Sequence, residues 1–256
     1  MINQPTFEKL VQMRMSAMAD AYRQREEDPA AAGLSFEERM GLLVDAEYWS
    51  RHNNRLKRNI HKAMLDQPQA SLSDINYTSG RLLDRNLIQS LAAGQYIREQ
   101  HNIIILGATG SGKTYLACAF GMEACRQGFT VRYARLPELL EELNIARGEG
   151  CFKKAIAALK KIQLLILDEW MLISLTETEA RDLLELIHAR HKRGSIIFCS
   201  QFEPTGWYGK LPEATVADAI LDRIVHDSYT IEIKPADKED QKSMREIYGL
   251  NPQMTR

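Results

Sequence analysis

Two hydrophobic periods divide this chain. From residue 5 to about residue 70 the apolar positions recur at helical spacing. In PTFEKLVQMRMSAMADAYRQREED, Phe7, Leu10, Val11, Met15, Met18 and Tyr22 fall on one stripe of a first helix. The pattern breaks at DPAAAG and resumes in LSFEERMGLLVDAEYWSRHNNRLKRNIHKAML, where Ser35 followed by Glu38 has the form of a capping box. Pro, Ser, Asp and Asn then accumulate over residues 65–81, which reads as a linker. From residue 102 short apolar runs alternate with amphipathic stretches. NIIIL (102–106), TVRYA (130–134), QLLILDE (163–169), SIIFCS (195–200) and YTIEIK (229–234) predict strands. Residues 113–127, 137–147, 151–161, 177–193 and 214–226 predict helices between them. The runs at 102, 163 and 195 are apolar almost throughout, as parallel strands covered on both faces are. The expected architecture is a doubly wound α/β domain over residues 101–250. A small all-helical domain over 1–70 and a connecting segment over 71–100 precede it.

Composition narrows the partners. The 256 residues carry a formal net charge of -1, with 45% hydrophobic and 26% charged residues, so no global basic field points to nucleic acid. Any such contact must come from a local patch. No apolar run approaches the roughly 18–20 residues that cross a bilayer, and the N-terminal stretch has charges inside its apolar pattern. Cys118, Cys125, Cys151 and Cys199 show no paired spacing and sit in apolar segments, which predicts reduced thiols. A cytoplasmic protein without membrane contact is expected.

The chemistry concentrates at two strand ends. GATGSGKT, Gly107 to Thr114, satisfies GxxxxGK[ST] in full. Gly107, Gly110 and Gly112 permit backbone angles and close approach that a Cβ would forbid, so the amides of Gly107, Ala108, Thr109, Gly110, Ser111, Gly112, Lys113, Thr114 and Tyr115 can line an anion nest at a helix start. Lys113 would reach the β- and γ-phosphates of ATP, and Thr114 would offer its hydroxyl to Mg2+. In LLILDE, two carboxylates emerge at the C-terminal end of a buried strand, where open α/β sheets bind ligands. Asp168 would hold the Mg2+ and Glu169 would polarise an attacking water, which favours hydrolysis over a passive nucleotide switch. The strand ending in Ser200 and Gln201 would lie beside the γ-phosphate if it runs between the other two, and either residue could sense it.

A basic stripe lies earlier. Arg51, Arg55, Arg58 and Lys62 recur at i, i+4, i+7 and i+11, and no acid interrupts residues 48–65. Trp49, Leu56, Ile60 and Met64 occupy the opposite side, which would pack on the core. A stripe of this kind suits sequence-independent contacts with DNA phosphates.

The phosphate loop, the Asp-Glu pair, the strand ending in Ser200 and the arginine in ILDRI together resemble an AAA+ ATPase of the initiator and helicase-loader clade. Over roughly residues 5–250 the chain is similar to the IstB-like family, ATP-binding helpers of insertion-sequence transposition. The resemblance is carried by LSFEERMGLLVDAEYWSRHNNRLKRNI, LDRNLIQSLAAGQYI, NIIILGATGSGKTYLACAFGMEACRQGFTVRYARLPELLEEL, LLILDEW and WYGKLPEATVADAILDRIVHDSYTIEIK. It implies a sheet ordered 5-1-4-3-2, double-stranded DNA and a cognate transposase as partners, and ATP-dependent homo-oligomers. Arg223 would then be an arginine finger acting on the neighbouring subunit's ATP. It also implies that residues 71–100 help close over the adenine, with Ile75 and Tyr77 as candidates. Two features depart from the pattern. Ser200 and Gln201 stand where many AAA+ proteins have asparagine, and too few residues follow Lys234 for the usual helical lid, with Arg245 a candidate second sensor. A DnaC-like helicase loader is the alternative, although such loaders carry N-terminal metal-binding cysteines and none precedes Cys118 here. An adaptor holding ATP as a structural ligand is a further one.

Overall fold

The structure is a computed structural model and describes residues 4–26, 33–77 and 81–235. Its internal packing divides the chain into Met1–Arg58 and Asn59–Arg256, and the division falls inside one helix. The first unit holds α1 (Gln4–Gln12), α2 (Ser16–Glu26) and most of α3 (Phe36–Ala63). The single first helix expected from the apolar stripe is in fact two. Arg14 takes a left-handed φ of 58°, and the chain turns there. The turn lets α1 and α2 fold onto each other, which one straight helix could not do. Leu10, Met18 and Ala19 are buried together, with Phe7, Met15, Tyr22 and Leu43 packed around them, while Val11 from the same stripe is exposed. Glu47 of α3, itself buried, accepts the Met18 amide at 3.0 Å near the start of α2, where backbone donors lack helical partners. The capping box at α3 forms as expected, with the Ser35 amide 2.8 Å from Glu38 and the Glu38 amide 3.2 Å from the Ser35 hydroxyl. Those bonds hold the Glu38 carboxyl below the usual carboxylate range.

One expectation about α3 is corrected. Trp49 is 56% exposed and Met64, just past the helix, is 66% exposed, so they do not pack on a core. Ala63 and Leu65 are buried instead. Met64 adopts φ 51°, and this left-handed step ends the helix and turns Leu65 inward.

The second unit is built on a sheet. After a 3-10 turn at Leu72–Asp74 come β1 (Arg81–Leu82), α4 (Arg85–Ala92), α5 (Gln95–Arg98), β2 (Asn102–Gly107), α6 (Lys113–Arg126) and β3 (Val131–Arg135). There follow α7 (Leu136–Gly148), α8 (Phe152–Lys160), β4 (Leu164–Asp168), α9 (Glu177–Arg190), β5 (Ser195–Ser200), α10 (Pro204–Tyr208), α11 (Ala214–Val225) and β6 (Ser228–Pro235). The sheet order is β1-β6-β2-β5-β4-β3, and every pair except β1–β6 is parallel. Numbered from the strand that enters the phosphate loop, the five parallel strands run 5-1-4-3-2, as expected. The antiparallel edge strand β1, pairing Leu82 with Lys234, and the helices α4, α5 and α10 were not foreseen from the sequence. Arg245 and the lid question fall in residues 236–256, outside the described residues.

Both sheet faces are covered. Ile104 and Leu106 of β2, Leu165 and Leu167 of β4, and Ile196 and Phe198 of β5 join one cluster with α7, α8, α9 and α11. On the other face α6 crosses the strands. It comes close enough that a Cβ on Gly121 would stand 2.9 Å from both Ile166 and Leu65. Arg190, at the end of α9, is 1% exposed and pins the chain where β4 and β5 begin. Its guanidinium donates to the carbonyls of Leu159 (2.5 Å), Ile162 (2.8 Å), Gln163 (3.4 Å) and Ser195 (2.8 Å). Burial pushes the guanidinium down to about 10, which still leaves it charged at neutral pH. Arg190→Met keeps the bulk but strands those acceptors, so urea denaturation should show a loss on the order of 3 kcal/mol. A loss below about 1 kcal/mol would mean that water serves these carbonyls equally well.

Candidate functional site

The site lies where the parallel strands end in their C-terminal direction. β2 runs out at Gly107, and the chain folds back into α6 through Gly110 (φ 72°) and Gly112 (φ 98°), both left-handed and both cheap only for glycine. Gly107 itself is hemmed in. A Cβ there would lie 2.6 Å from the Ser111 hydroxyl and 3.2 Å from the Ile233 carbonyl. The Lys113 side chain is nearly buried and folds over the loop, donating to the carbonyls of Gly107 (2.7 Å) and Ala108 (2.9 Å). A lysine held over glycine-rich backbone at a helix start is the donor set an oligophosphate requires. Ala108 and Thr109 are exposed on the loop's outer side, and Ser111 is buried within it.

Asp168 ends β4 and is 5% exposed. Three donors fix its carboxylate. The Thr114 hydroxyl (2.7 Å) and the Tyr133 hydroxyl (3.0 Å) both reach Oδ2, and the Glu169 amide reaches Oδ1 at 2.8 Å. Thr114 and Asp168, brought together from two elements far apart in sequence, are the residues that could hold a magnesium ion beside a phosphate chain, since that ion takes one or two protein oxygens and keeps water. Burial and the neighbouring Asp168 charge push the Tyr133 phenol up, so it stands as a donor. Burial likewise raises the Cys118 thiol to about 11, and raises that of Cys199, whose Sγ lies 3.9 Å from the Lys113 carbonyl, well above the usual thiol range. These thiols are inert packing groups at neutral pH.

Glu169 follows in a left-handed conformation, φ 55°, and its carboxylate is ion-paired with Arg135 at the end of β3. Arg135 also reaches Glu138 at 3.3 Å, and these carboxylates, Glu169 first, raise its pKa. The register explains the meeting. Arg135 is the partner of Asp168 in the β3–β4 pair, so the residue after Asp168 comes within reach of its guanidinium. β5 runs between β2 and β4, as the sensing argument required. The Ser200 hydroxyl, however, is engaged inside the fold. It donates to the Trp170 carbonyl (3.0 Å) and accepts from the Phe202 amide (3.1 Å) and the Trp207 indole (2.9 Å). Gln201, the next residue, is exposed at the strand end.

Other candidates lie elsewhere. Arg223 sits in the last turn of α11, where one guanidinium nitrogen donates to the Ala219 carbonyl. It lines a small cavity with Gln100, Asn102 and Gly194, which mark the starts of β2 and β5, the end of the sheet opposite the phosphate loop. The Tyr115 hydroxyl meets the backbone of Ser71, tying the first turn of α6 to the segment after α3. Tyr77 carries the Arg85 guanidinium 5.5 Å from its ring centroid. Arg51, Arg55, Arg58 and Lys62 are exposed on α3, and Arg51 is also bonded to Glu47 (2.7 Å) and to the Arg14 carbonyl (2.9 Å). Sequence reasoning missed Tyr133 and Arg135. The available signal was the equal parity of Tyr133 and Arg135 on β3, which puts both on one sheet face; that this is the face of Asp168 depends on the β3–β4 register.

Comparison with known proteins finds a family, relatives and a fold that this chain resembles. A family model described as IstB-like ATP binding protein matches residues 8–246. The insertion sequence IS1162 ATP-binding protein of Pseudomonas fluorescens is 45% identical over 201 residues, covering 78% of this chain and 87% of that protein. An insertion sequence ATP-binding protein of Sinorhizobium fredii, y4pL, is 39% identical over 233 residues, covering 91% and 95%. Among solved structures, DnaA from Aquifex aeolicus bound to AMPPCP superposes with a TM-score of 0.58 at 19% identity, covering 73% of this chain and 64% of that one. The DnaC helicase loader gives 0.54 at 18% identity, covering 65% and 97%. These two likenesses are of fold, and the fold is that of an AAA+ P-loop NTPase. Gly107→Ala tests the cradle directly. The added Cβ must displace Ser111 or the β6 backbone, so affinity for a fluorescent ATP analogue should fall more than about tenfold while the melting temperature stays within a few degrees. Unchanged affinity would place the nucleotide elsewhere.

Proposed function

The chain belongs to the IstB-like ATP-binding family, and from that premise we propose that it is a Mg2+-dependent ATPase that assembles on double-stranded DNA and stimulates a separate transposase. The observation that carries the ATPase reading is the Thr114–Asp168 hydrogen bond at the mouth of the phosphate loop, with Glu169 next in the chain. Lys113 would leave its two carbonyls for the β- and γ-phosphates, exchanging neutral acceptors for anionic ones. Thr114 and Asp168 would hold the Mg2+, which when bound neutralises charge on the phosphates. Glu169 orients and polarises the water, and Arg135 sets the direction of its carboxylate until the site is complete. Arg223 lies at the end of the sheet away from its own phosphate loop, so its service to a γ-phosphate must be to a neighbouring subunit's. Gln201 at the end of β5 and Tyr115 in the first turn of α6 complete the nucleotide's surroundings. The insertion-sequence relatives support transposition as the setting, and the exposed basic residues of α3 support DNA as the surface on which copies assemble.

A mixing experiment separates the roles within the ATP site. Glu169→Gln should bind ATP and fail to turn it over, and Arg223→Ala should fold, bind ATP and likewise be inactive. Combined in equal amounts they should recover activity at about a quarter of the interfaces, where an intact Glu169 faces an intact Arg223. No recovery, with both variants still assembling, would remove Arg223 from the site.

Binding to DNA should be salt-dependent and tolerant of sequence. Arg55, Arg58 and Lys62 are the residues to neutralise, because Arg51 also braces Glu47. Their replacement by glutamine should lower the slope of log affinity against log salt by roughly 0.9 for each phosphate that is no longer neutralised. An unchanged slope would move the DNA surface off α3.

A further inference from the structure

We propose that Tyr133 is a positioning residue for the magnesium site, holding the Asp168 carboxylate in the rotamer that presents it beside Thr114. The inference rests on the ATPase reading above and deepens it. β3 and β4 are parallel with Tyr133 opposite Ile166 and Arg135 opposite Asp168, so Tyr133, Ile166 and Asp168 project from the same sheet face, the one α6 covers. Strand side chains lean along the strand, and a phenol is long enough to span the two-residue diagonal. The structure shows that span closed, with the Tyr133 hydroxyl 3.0 Å from Asp168 Oδ2. Tyr133 is 8% exposed and Asp168 5%, so water offers little substitute for this donor.

The division of labour among the three donors gives Tyr133 its importance. The Glu169 amide belongs to the backbone and orients Oδ1 alone. Thr114 bonds Oδ2 and is itself a metal-ligand candidate, so its hydroxyl has a second duty. Tyr133 gives its proton to that same oxygen, and it approaches from a strand rather than from the phosphate loop. It therefore keeps the carboxylate aimed whether the loop is filled or empty. Groups that orient a metal ligand without touching the metal commonly change metal affinity by about 10- to 100-fold.

Tyr133→Phe deletes the hydroxyl and keeps the ring. Binding of a fluorescent ATP analogue is measured in EDTA and then across a Mg2+ titration, with the melting temperature followed in parallel. The expected result is unchanged affinity in EDTA, together with a rise of about tenfold in the Mg2+ concentration that gives half of the metal-dependent gain in affinity. A Mg2+ midpoint equal to that of the unsubstituted protein overturns the inference and leaves Tyr133 as core packing, with the ATPase reading intact. Loss of affinity already in EDTA also overturns it, since the hydroxyl would then serve the nucleotide or the loop. Should the unsubstituted protein show no metal-dependent gain at all, the reading of Thr114 and Asp168 fails first, and this inference with it.

Discussion

A carboxylate buried at a strand end must be given donors, and in this protein meeting that demand draws the site together. Asp168 is almost wholly removed from water, where an unsatisfied charge would cost several kcal/mol. Its donors come from three places: the first turn of α6, the middle of β3, and the next residue of its own chain. β2, which delivers the phosphate loop, and β4, which delivers the aspartate, are separated in the sheet by β5. The Thr114–Asp168 bond joins them across the face that α6 covers. That bond is thus a statement about topology as much as about chemistry, because another strand order would leave the hydroxyl and the carboxylate apart.

The same crowding explains the residues next to it. With the Glu169 amide turned back to Asp168 Oδ1, the chain leaves the strand through two left-handed positions, Glu169 and Met171. Non-glycine residues there cost on the order of 1 kcal/mol each. That strain is held by Trp170, fully buried between Phe198 and Trp207, whose amide is bonded to the Cys199 carbonyl at 2.9 Å. Ser200 joins the same bracket through the Trp170 carbonyl and the Trp207 indole. The aromatic cluster behind the site is therefore the support that keeps an unfavourable turn in place, and Glu169 projects from that turn toward Arg135.

The parts legible in the sequence were those with one physical solution. A parallel strand covered on both faces must be apolar, so β2, β4 and β5 stood out with their ends placed almost to the residue. Left-handed turns at a phosphate loop need glycine, so Gly110 and Gly112 could be read directly. Less legible were features whose information lies in register or in competition between neighbours. Tyr133 and Arg135 matter because β3 pairs with β4 at one offset, and nothing in TVRYAR states that offset. The break at Arg14 is hidden because the apolar spacing continues through it, and only packing α1 on α2 reveals why the helix stops. Trp49 misleads by its size, since that side of α3 could as well face solvent. The short elements β1, α4, α5 and α10 fall below the length at which periodicity has meaning.

Geometry also limits what one copy of the chain can do. β2 spans six residues, and its two ends are about 16 Å apart at the usual strand rise. Gly107 and the phosphate loop sit at one end, and Arg223 lies with Gln100 and Asn102 at the other. No rotamer of an arginine crosses that distance through a packed sheet. A molecule that carried all its catalytic groups on one edge could hydrolyse ATP wherever it drifted. Under the proposed reading, separating Arg223 from Glu169 by the length of a strand makes turnover depend on a second copy. The basic residues of α3 would then make the presence of a second copy depend on DNA. Hydrolysis would thereby be confined to assembled protein by the length of β2.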